Sequence, residues 1–142
     1  MKAANLKIVL EYLSQNRLMA LSTVSNGRPW SATVFFAFDS KGNIYFYSRP
    51  DTKHAKHILK NSFVSVAINH YQKKSNVMGL QMVGRVKRVL EKNFKKDYAL
   101  YRKRFPWADD FKNDHELFMI TPTEIHYVDE KRFRHFFRVR MK

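Results

Sequence analysis

The sequence predicts a mostly β fold, a small antiparallel barrel with flanking helices. Three observations carry that expectation. Five to seven short apolar segments have strand length, turn-forming clusters separate most of them, and helical periodicity is confined to the start of the chain and two insertions between strands. The 142 residues suit a single domain, 1–142, long enough for a real core and too short for two comfortable ones.

Each element has its own reason. Leu6, Val9, Leu10 and Leu13 recur at helical spacing, so residues near 3–16 form an amphipathic helix whose polar face carries Lys2, Lys7, Glu11 and Gln15. Leu18 to Val24 reads as a strand, and Ser25-Asn26-Gly27-Arg28 supplies the turn of a hairpin. The next strand, Trp30 to Phe38, is apolar or small at nearly every position, which predicts burial on both faces. Asp39 to Asn43 reverses the chain again, into a third strand from Ile44 to Ser48. Asp51 or Thr52 caps a short helix whose inward residues are expected to be Ala55, Ile58 and Leu59, and Asn61 ends it.

Phe63 to Ile68 makes a fourth strand, and the polar run 69–76 a loop. Leu80 to Val89 sets Leu80, Met82, Gly84 and Val86 against Gln81, Val83, Arg85 and Lys87, the alternation of a half-exposed strand. A helix beginning near Leu90 places Phe94, Tyr98, Tyr101 and Phe105 on one face, and Pro106 breaks it. Leu117 to Thr121 and Glu124 to Val128 form one long strand bent at Pro122, and Phe133 to Val139 can add another.

Composition narrows the chemistry. With no cysteine there is no disulfide, thiolate nucleophile or cysteine-bound metal, so redox chemistry here requires a bound cofactor. A formal charge of +15 predicts attraction to polyanions or phosphorylated ligands without choosing between them. Hydrophobic residues, 44% of the chain, are enough for a folded core, yet no run approaches the roughly 20 apolar residues of a membrane helix. The start shows no signal-peptide core, so a soluble, cytoplasmic protein with no membrane partner is expected.

The segment from Ser48 to His54 is the leading candidate site. A buried strand that ends in hydroxyl and basic side chains at a helix start suits a phosphate. The alternative is an ordinary capped helix with a solvated lysine. His54 and His57 sit three apart on one helix face, but a metal pair lacks a third ligand, so no metal is assigned. A hydrolase triad of Ser22, His70 and Asp97 has no support in the spacing. The basic helix from Glu91 to Arg104 and the acid-free tail 131–142, in which arginines alternate with aromatic and apolar residues, form the best nucleic-acid signal. The competing reading is a solvated helix face and a charge-protected edge strand.

The order of motifs resembles a known family. An N-G-R-P turn, an apolar strand, a D-x-K-G turn, Y-F-Y-S, T-K-H-A and N-S-F-V-S-V-A-I over about residues 17–89 are similar to the FMN-binding split barrels typified by pyridoxamine 5'-phosphate oxidases. Arg104-Phe105-Pro106 adds likeness to the short bacterial members of uncharacterised function. The resemblance implies a split β-barrel of FMN-binding type, a homodimer with FMN across the subunit interface, and a flavin-dependent oxidoreductase of unknown substrate. It implies that Ser48, Thr52, Lys53 and His54 meet the phosphate, that the backbone of Ala32, Thr33 and Val34 on the second strand faces the ring, with Ser31 at the cofactor where the oxidases place a phosphate-binding arginine, and that Gln81 reaches the flavin from a later strand.

Two departures qualify those implications. The oxidases carry an arginine where this chain has Ser31, a loss that Arg28 or Arg49 would have to make good, and Asp51 would repel a phosphate unless it turns away. Phe133-Arg134-His135-Phe136 does not reproduce the oxidases' substrate motif, so pyridoxamine phosphate oxidation itself is not expected. Other members of the fold bind haem or deazaflavin, which leaves a haem protein with His54, His70, His126 or His135 as axial ligand, or a non-enzymatic nucleic-acid or polyanion-binding module, as the alternatives.

Overall fold

The computed structural model describes residues 3–69, 77–133 and 139–141. Helix α1 (Ala3–Ser14) is followed by β1 (Leu18–Ser25), β2 (Arg28–Phe38), β3 (Ile44–Ser48), α2 (Lys53–Lys60), β4 (Phe63–Asn69) and β5 (Met78–Arg88). Next come α3 (Glu91–Arg104), a 3-10 turn over Pro106–Phe111, the long β6 (Glu116–Asp129), α4 (Glu130–Phe133) and the short β7 (Val139–Met141). The strands order as β3-β2-β1-β4-β5-β6-β7, and β3 also pairs with β6, which closes a six-stranded antiparallel barrel. No described helix is long and apolar enough to cross a membrane.

Alternation decides what lies inside. Along β4 and β5 every second side chain is buried, so Val64, Val66, Ile68, Leu80, Met82 and Val86 fill the barrel while Ser65, Ala67, Gln81 and Val83 face out. Helix α1 presents Val9, Tyr12 and Leu13 to that core, and the Tyr12 hydroxyl donates to the Ile68 carbonyl at 3.3 Å. β3 is buried on both faces: Ile44 and Phe46 point inward, whereas Tyr45 and Tyr47 pack under α3 with Tyr98, Tyr101 and Phe105 in a second cluster.

Two close approaches fix the closure. At Gly84, opposite the bend at Pro122, a Cβ would lie 2.7 Å from both Ile120 Cγ2 and the Thr121 carbonyl oxygen, so only glycine lets β5 and β6 meet there. Arg104, half-buried at the end of α3, donates to the carbonyls of Leu13, Asn16 and Phe36 and so ties α3 to the end of α1 and to β2. That is the structural work of the Arg-Phe-Pro sequence. Pro106 then opens the 3-10 turn, an element that the sequence did not suggest.

Four expectations change. β2 is not buried on both faces, because β3 pairs with it only over Phe36–Phe38, and the half from Arg28 to Phe35 stays exposed or half-exposed. Leu59 is 83% exposed, and the inward face of α2 is instead His54, Ala55 and Ile58. Phe133 ends a helical turn rather than starting a strand, and β7 begins at Val139. Asn69, expected to open the loop 69–76, ends β4 instead, and the rest of that loop, 70–76, lies outside the described residues with 134–138 and 142 of the tail.

Candidate functional site

The split in the sheet exposes one strand edge. The Phe36 amide donates to the Arg17 carbonyl across to β1, so by antiparallel alternation the main-chain groups of Val34 and Ala32 also turn toward β1. Those of Ser31 and Thr33 point the other way, along an edge where, among the described residues, no strand pairs before Phe36. Of the four expected positions on this strand, Ser31 and Thr33 offer main-chain donors and acceptors outward, and Ala32 and Val34 do not. The Ser31 hydroxyl is hydrogen-bonded to that of Ser22 at 2.9 Å.

Beside the start of that edge lies an open recess of about 520 Å³ between the β1–β2 turn and α2. Arg28, Lys53, Lys56, His57 and Lys60 line it with Ser25, Asn26 and Pro29, and among the described residues no carboxylate does. The Lys53 ammonium stands 4.3 Å from the centre of the Trp30 ring, which carries the basic lining up to the exposed part of β2. Thr52 caps α2 by accepting from the Ala55 amide at 3.3 Å, while its hydroxyl donates to the Arg49 carbonyl at 2.9 Å. The amides of Lys53 and His54, in the first turn of α2, have no intrahelical acceptor.

Ser48 and His54 behave differently from Lys53. Both are buried, and the Ser48 hydroxyl is 2.9 Å from His54 Nε2, with Thr52 Oγ1 at 3.3 Å from the same nitrogen. Burial, with His57 nearby, holds the His54 imidazole below the usual histidine range, so it is neutral near pH 7. The pair satisfies itself at the barrel end and packs edge-on against Phe46, so these two side chains brace α2 from beneath. His54 is therefore not the surface residue that a short helix usually carries.

The two arginines proposed in place of Ser31 are separated by the structure. Arg49 forks onto Asp51 through Nε and Nη2 at 3.0 and 2.7 Å, which occupies both groups and turns the Asp51 charge toward Arg49. Arg28 lines the recess with Lys53. Sequence reasoning missed Lys56 and Lys60. The signal was present, since Lys53, Lys56, His57 and Lys60 share one helix face, opposite His54, Ala55 and Ile58.

Gln81 stands elsewhere. The register runs Thr33, Ala20, Ala67, Gln81, His126 across β2, β1, β4, β5 and β6, so Gln81 is three strands from Thr33, about 14 Å at the usual spacing. It lines a second open recess of about 370 Å³ with Ser22, Ser65, Glu124 and His126, and the His126 Nε2 is 3.1 Å from Glu124 Oε1. Around this outer face Leu18, Phe35, Phe63 and Val83 are all more than a third exposed.

The remaining candidates do not assemble. Asp97, its carboxyl raised by burial and by Asp39, lies on α3 beside Tyr45 of β3, whereas Ser22 lies on β1 beside Ser31, and His70 is outside the described residues. Of the four histidines considered for haem, His54 is committed to Ser48, His126 to Glu124, and His70 and His135 are not described. Among the described residues, no group of three or more acidic or histidine side chains is arranged for a metal ion. On α3 the exposed Lys92, Lys95 and Lys96 lie around Phe94, which is itself 37% exposed and stacks on Tyr98 at 5.3 Å.

Comparison with known proteins adds the following. The family model described as pyridoxamine 5'-phosphate oxidase matches residues 7–129. A UPF0306 protein of Campylobacter jejuni is 26% identical over 101 residues, 70% of this chain and 72% of that protein. Among solved structures, a haem-binding protein from Mycobacterium smegmatis has a TM-score of 0.82 at 12% identity over 100% of this chain, which spans only 59% of that protein. A FAD-binding protein from Mesorhizobium loti has a TM-score of 0.70 at 19% identity over 88% of this chain and 90% of its own. At these identities the structural likenesses establish the split-barrel fold.

Proposed function

The chain belongs to the pyridoxamine 5'-phosphate oxidase family, and from that premise we propose that it binds FMN at a homodimer interface and acts as a flavin-dependent oxidoreductase. The observation that carries the reading is the meeting of an acid-free cationic recess with an unpaired strand edge. An isoalloxazine ring needs main-chain donors and acceptors at its polar rim, and a phosphate monoester needs cations and amide N–H groups. Ser31 and Thr33 offer the first and Arg28, Lys53 and the α2 amides the second. When bound, FMN supplies the hydride and electron transfer.

The residues of this chain then bind and orient. Arg28 and Lys53 hold the phosphate with charge-assisted hydrogen bonds, and Thr52 fixes the end of α2 that faces it. Ser48 and His54 keep that end seated on the barrel. Arg49 neutralises Asp51, so its carboxylate does not oppose the phosphate. Gln81, too far to reach the same β2 edge, meets a flavin only from a second copy of the chain. The exposed Leu18, Phe35, Phe63 and Val83 give that second copy an apolar surface to cover. No side chain is assigned as catalytic acid or base, and pyridoxamine phosphate is not proposed as substrate, because the residues at 133–136 lack the oxidases' motif.

Incubation with FMN followed by gel filtration, with visible spectra and light scattering of the eluted protein, tests this. A homodimer that retains one flavin per chain is expected. A monomer, failure to retain FMN, or an intense haem band in the protein as isolated would overturn it.

A further inference from the structure

A phosphate monoester carries about two charges at neutral pH. Arg28 and Lys53 suffice to meet them, which leaves Lys56 and Lys60 over. Lys53, Lys56 and Lys60 stand at i, i+3 and i+7 on α2, so their Cα atoms span about 10.5 Å along the axis, and Arg28 lines the same recess from the start of β2. Among the described residues none of these cations makes an ion pair, and no carboxylate lines the recess. His57 is already engaged, its Nδ1 3.0 Å from Thr23 Oγ1. Like charges gathered on one open surface repel one another, and a ligand with several charges spaced along it relieves that repulsion.

An indole stands beside these cations. Trp30 is 42% exposed on the open half of β2, and Lys53 holds its ammonium 4.3 Å from the ring centre. Trp107 differs, because Phe35, Phe105 and Phe111 pack around it at centroid distances of 5.3, 5.4 and 6.0 Å. Among the described residues no ring packs on Trp30. A solvated cation–π contact is weaker than the stacking of a nucleobase on an aromatic face. A base can therefore displace Lys53 from this indole.

We propose that this recess binds single-stranded nucleic acid, with one unstacked base on Trp30 and successive backbone phosphates at Arg28 and Lys53, then Lys56, then Lys60. A single strand carries its charges at a regular spacing, which suits cations arrayed along a helix. It also leaves a base face free for the indole, whereas a duplex keeps its bases within its own stack. On binding, Lys53 exchanges the indole for a phosphate, and the base takes its place. The formal charge of +15 adds long-range attraction for the same ligand. Because Arg28 and Lys53 also serve the flavin phosphate proposed above, the strand and FMN exclude each other, and the flavin-free protein is the form that binds the strand.

Fluorescence anisotropy of a labelled oligouridylate, titrated with the flavin-free protein over a range of salt, tests the assignment. Affinity should fall as salt rises, and Lys56→Ala/Lys60→Ala should make the slope of log K against log salt shallower by about 1.4, the counterion release of two phosphates on a single strand. Trp30→Leu should leave that slope unchanged and weaken binding about fivefold, the low end for the stacking of one base. Lys92→Ala/Lys95→Ala, on α3 and outside the recess, should bind within about twofold of the parent. No binding, an unchanged slope in the Lys56/Lys60 variant, parental affinity in Trp30→Leu, a larger loss in the α3 variant, or equal affinity for the duplex with oligoadenylate overturns the proposal. FMN should displace the oligouridylate. Flavin that binds without displacing it overturns the shared recess, whereas protein that binds the oligouridylate but no flavin contradicts the flavin reading and leaves this one standing.

Discussion

Replacing Lys53 by alanine probes the phosphate contact most cleanly, because Lys53 is exposed and anchors nothing in the core. A hydrogen bond from an ammonium to a phosphate oxygen contributes about 1.5–3 kcal/mol. Two features place the loss at the low end. The group is solvated and screened, and Arg28 remains in the same recess to take up part of the charge. The contact with Trp30 at 4.3 Å is present before binding as well as after, so losing it cancels to first order. About 1.5 kcal/mol is expected, which weakens FMN binding roughly tenfold. Quenching of flavin fluorescence at fixed low salt reads this directly, and Lys53→Arg should recover most of the affinity. A Kd for Lys53→Ala within twofold of the parent would refute the placement of the phosphate beside Lys53.

Other expectations concern the frame around the site. Gly84→Ala forces a methyl group to within 2.7 Å of Ile120 and Thr121 and should destabilise the fold by about 1–3 kcal/mol; an unchanged urea midpoint would show that β5 and β6 can part there at no cost. Arg104→Met strips the guanidinium from three carbonyls and should cost about 2–4 kcal/mol, while a loss below about 0.5 kcal/mol would mark those contacts as incidental. His54 has a folded-state pKa below its unfolded one, so its neutral form favours folding. Its contribution is complete above the unfolded value near 6.5 and is lost progressively as pH falls below it. Denaturant midpoints between pH 7.5 and 5 should fall for the parent and fall less for His54→Gln; parallel pH profiles would remove His54 as the cause.

Much of the frame was legible because local patterns and tertiary structure agree. The alternation of β5, the turn at Asn26-Gly27, the Thr52 cap and the bend at Pro122 all appear where side-chain chemistry demands them. β2 was misread for a physical reason: an apolar strand left open at a split has the same composition as one buried on both faces. Leu59 was misread because an eight-residue helix allows two apolar faces, and packing against the barrel selected the one carrying His54. The site was only partly visible. Lys53 and Thr52 follow from their place at a helix start, but nothing in the order of residues shows that Arg49 is taken by Asp51 while Arg28 is not. The distance from Gln81 to β2 depends on strand order, which composition does not encode.

The ratio of FMN to riboflavin affinity, measured on the same purified protein at low salt, tests the central claim most directly. The two ligands share the ring and differ by the phosphate. With Arg28 and Lys53 each contributing about 1.5 kcal/mol, FMN should bind roughly a hundredfold more tightly. Equal affinities would mean that the cationic recess does not hold the phosphate, and no binding of either would mean that the β2 edge does not hold the ring.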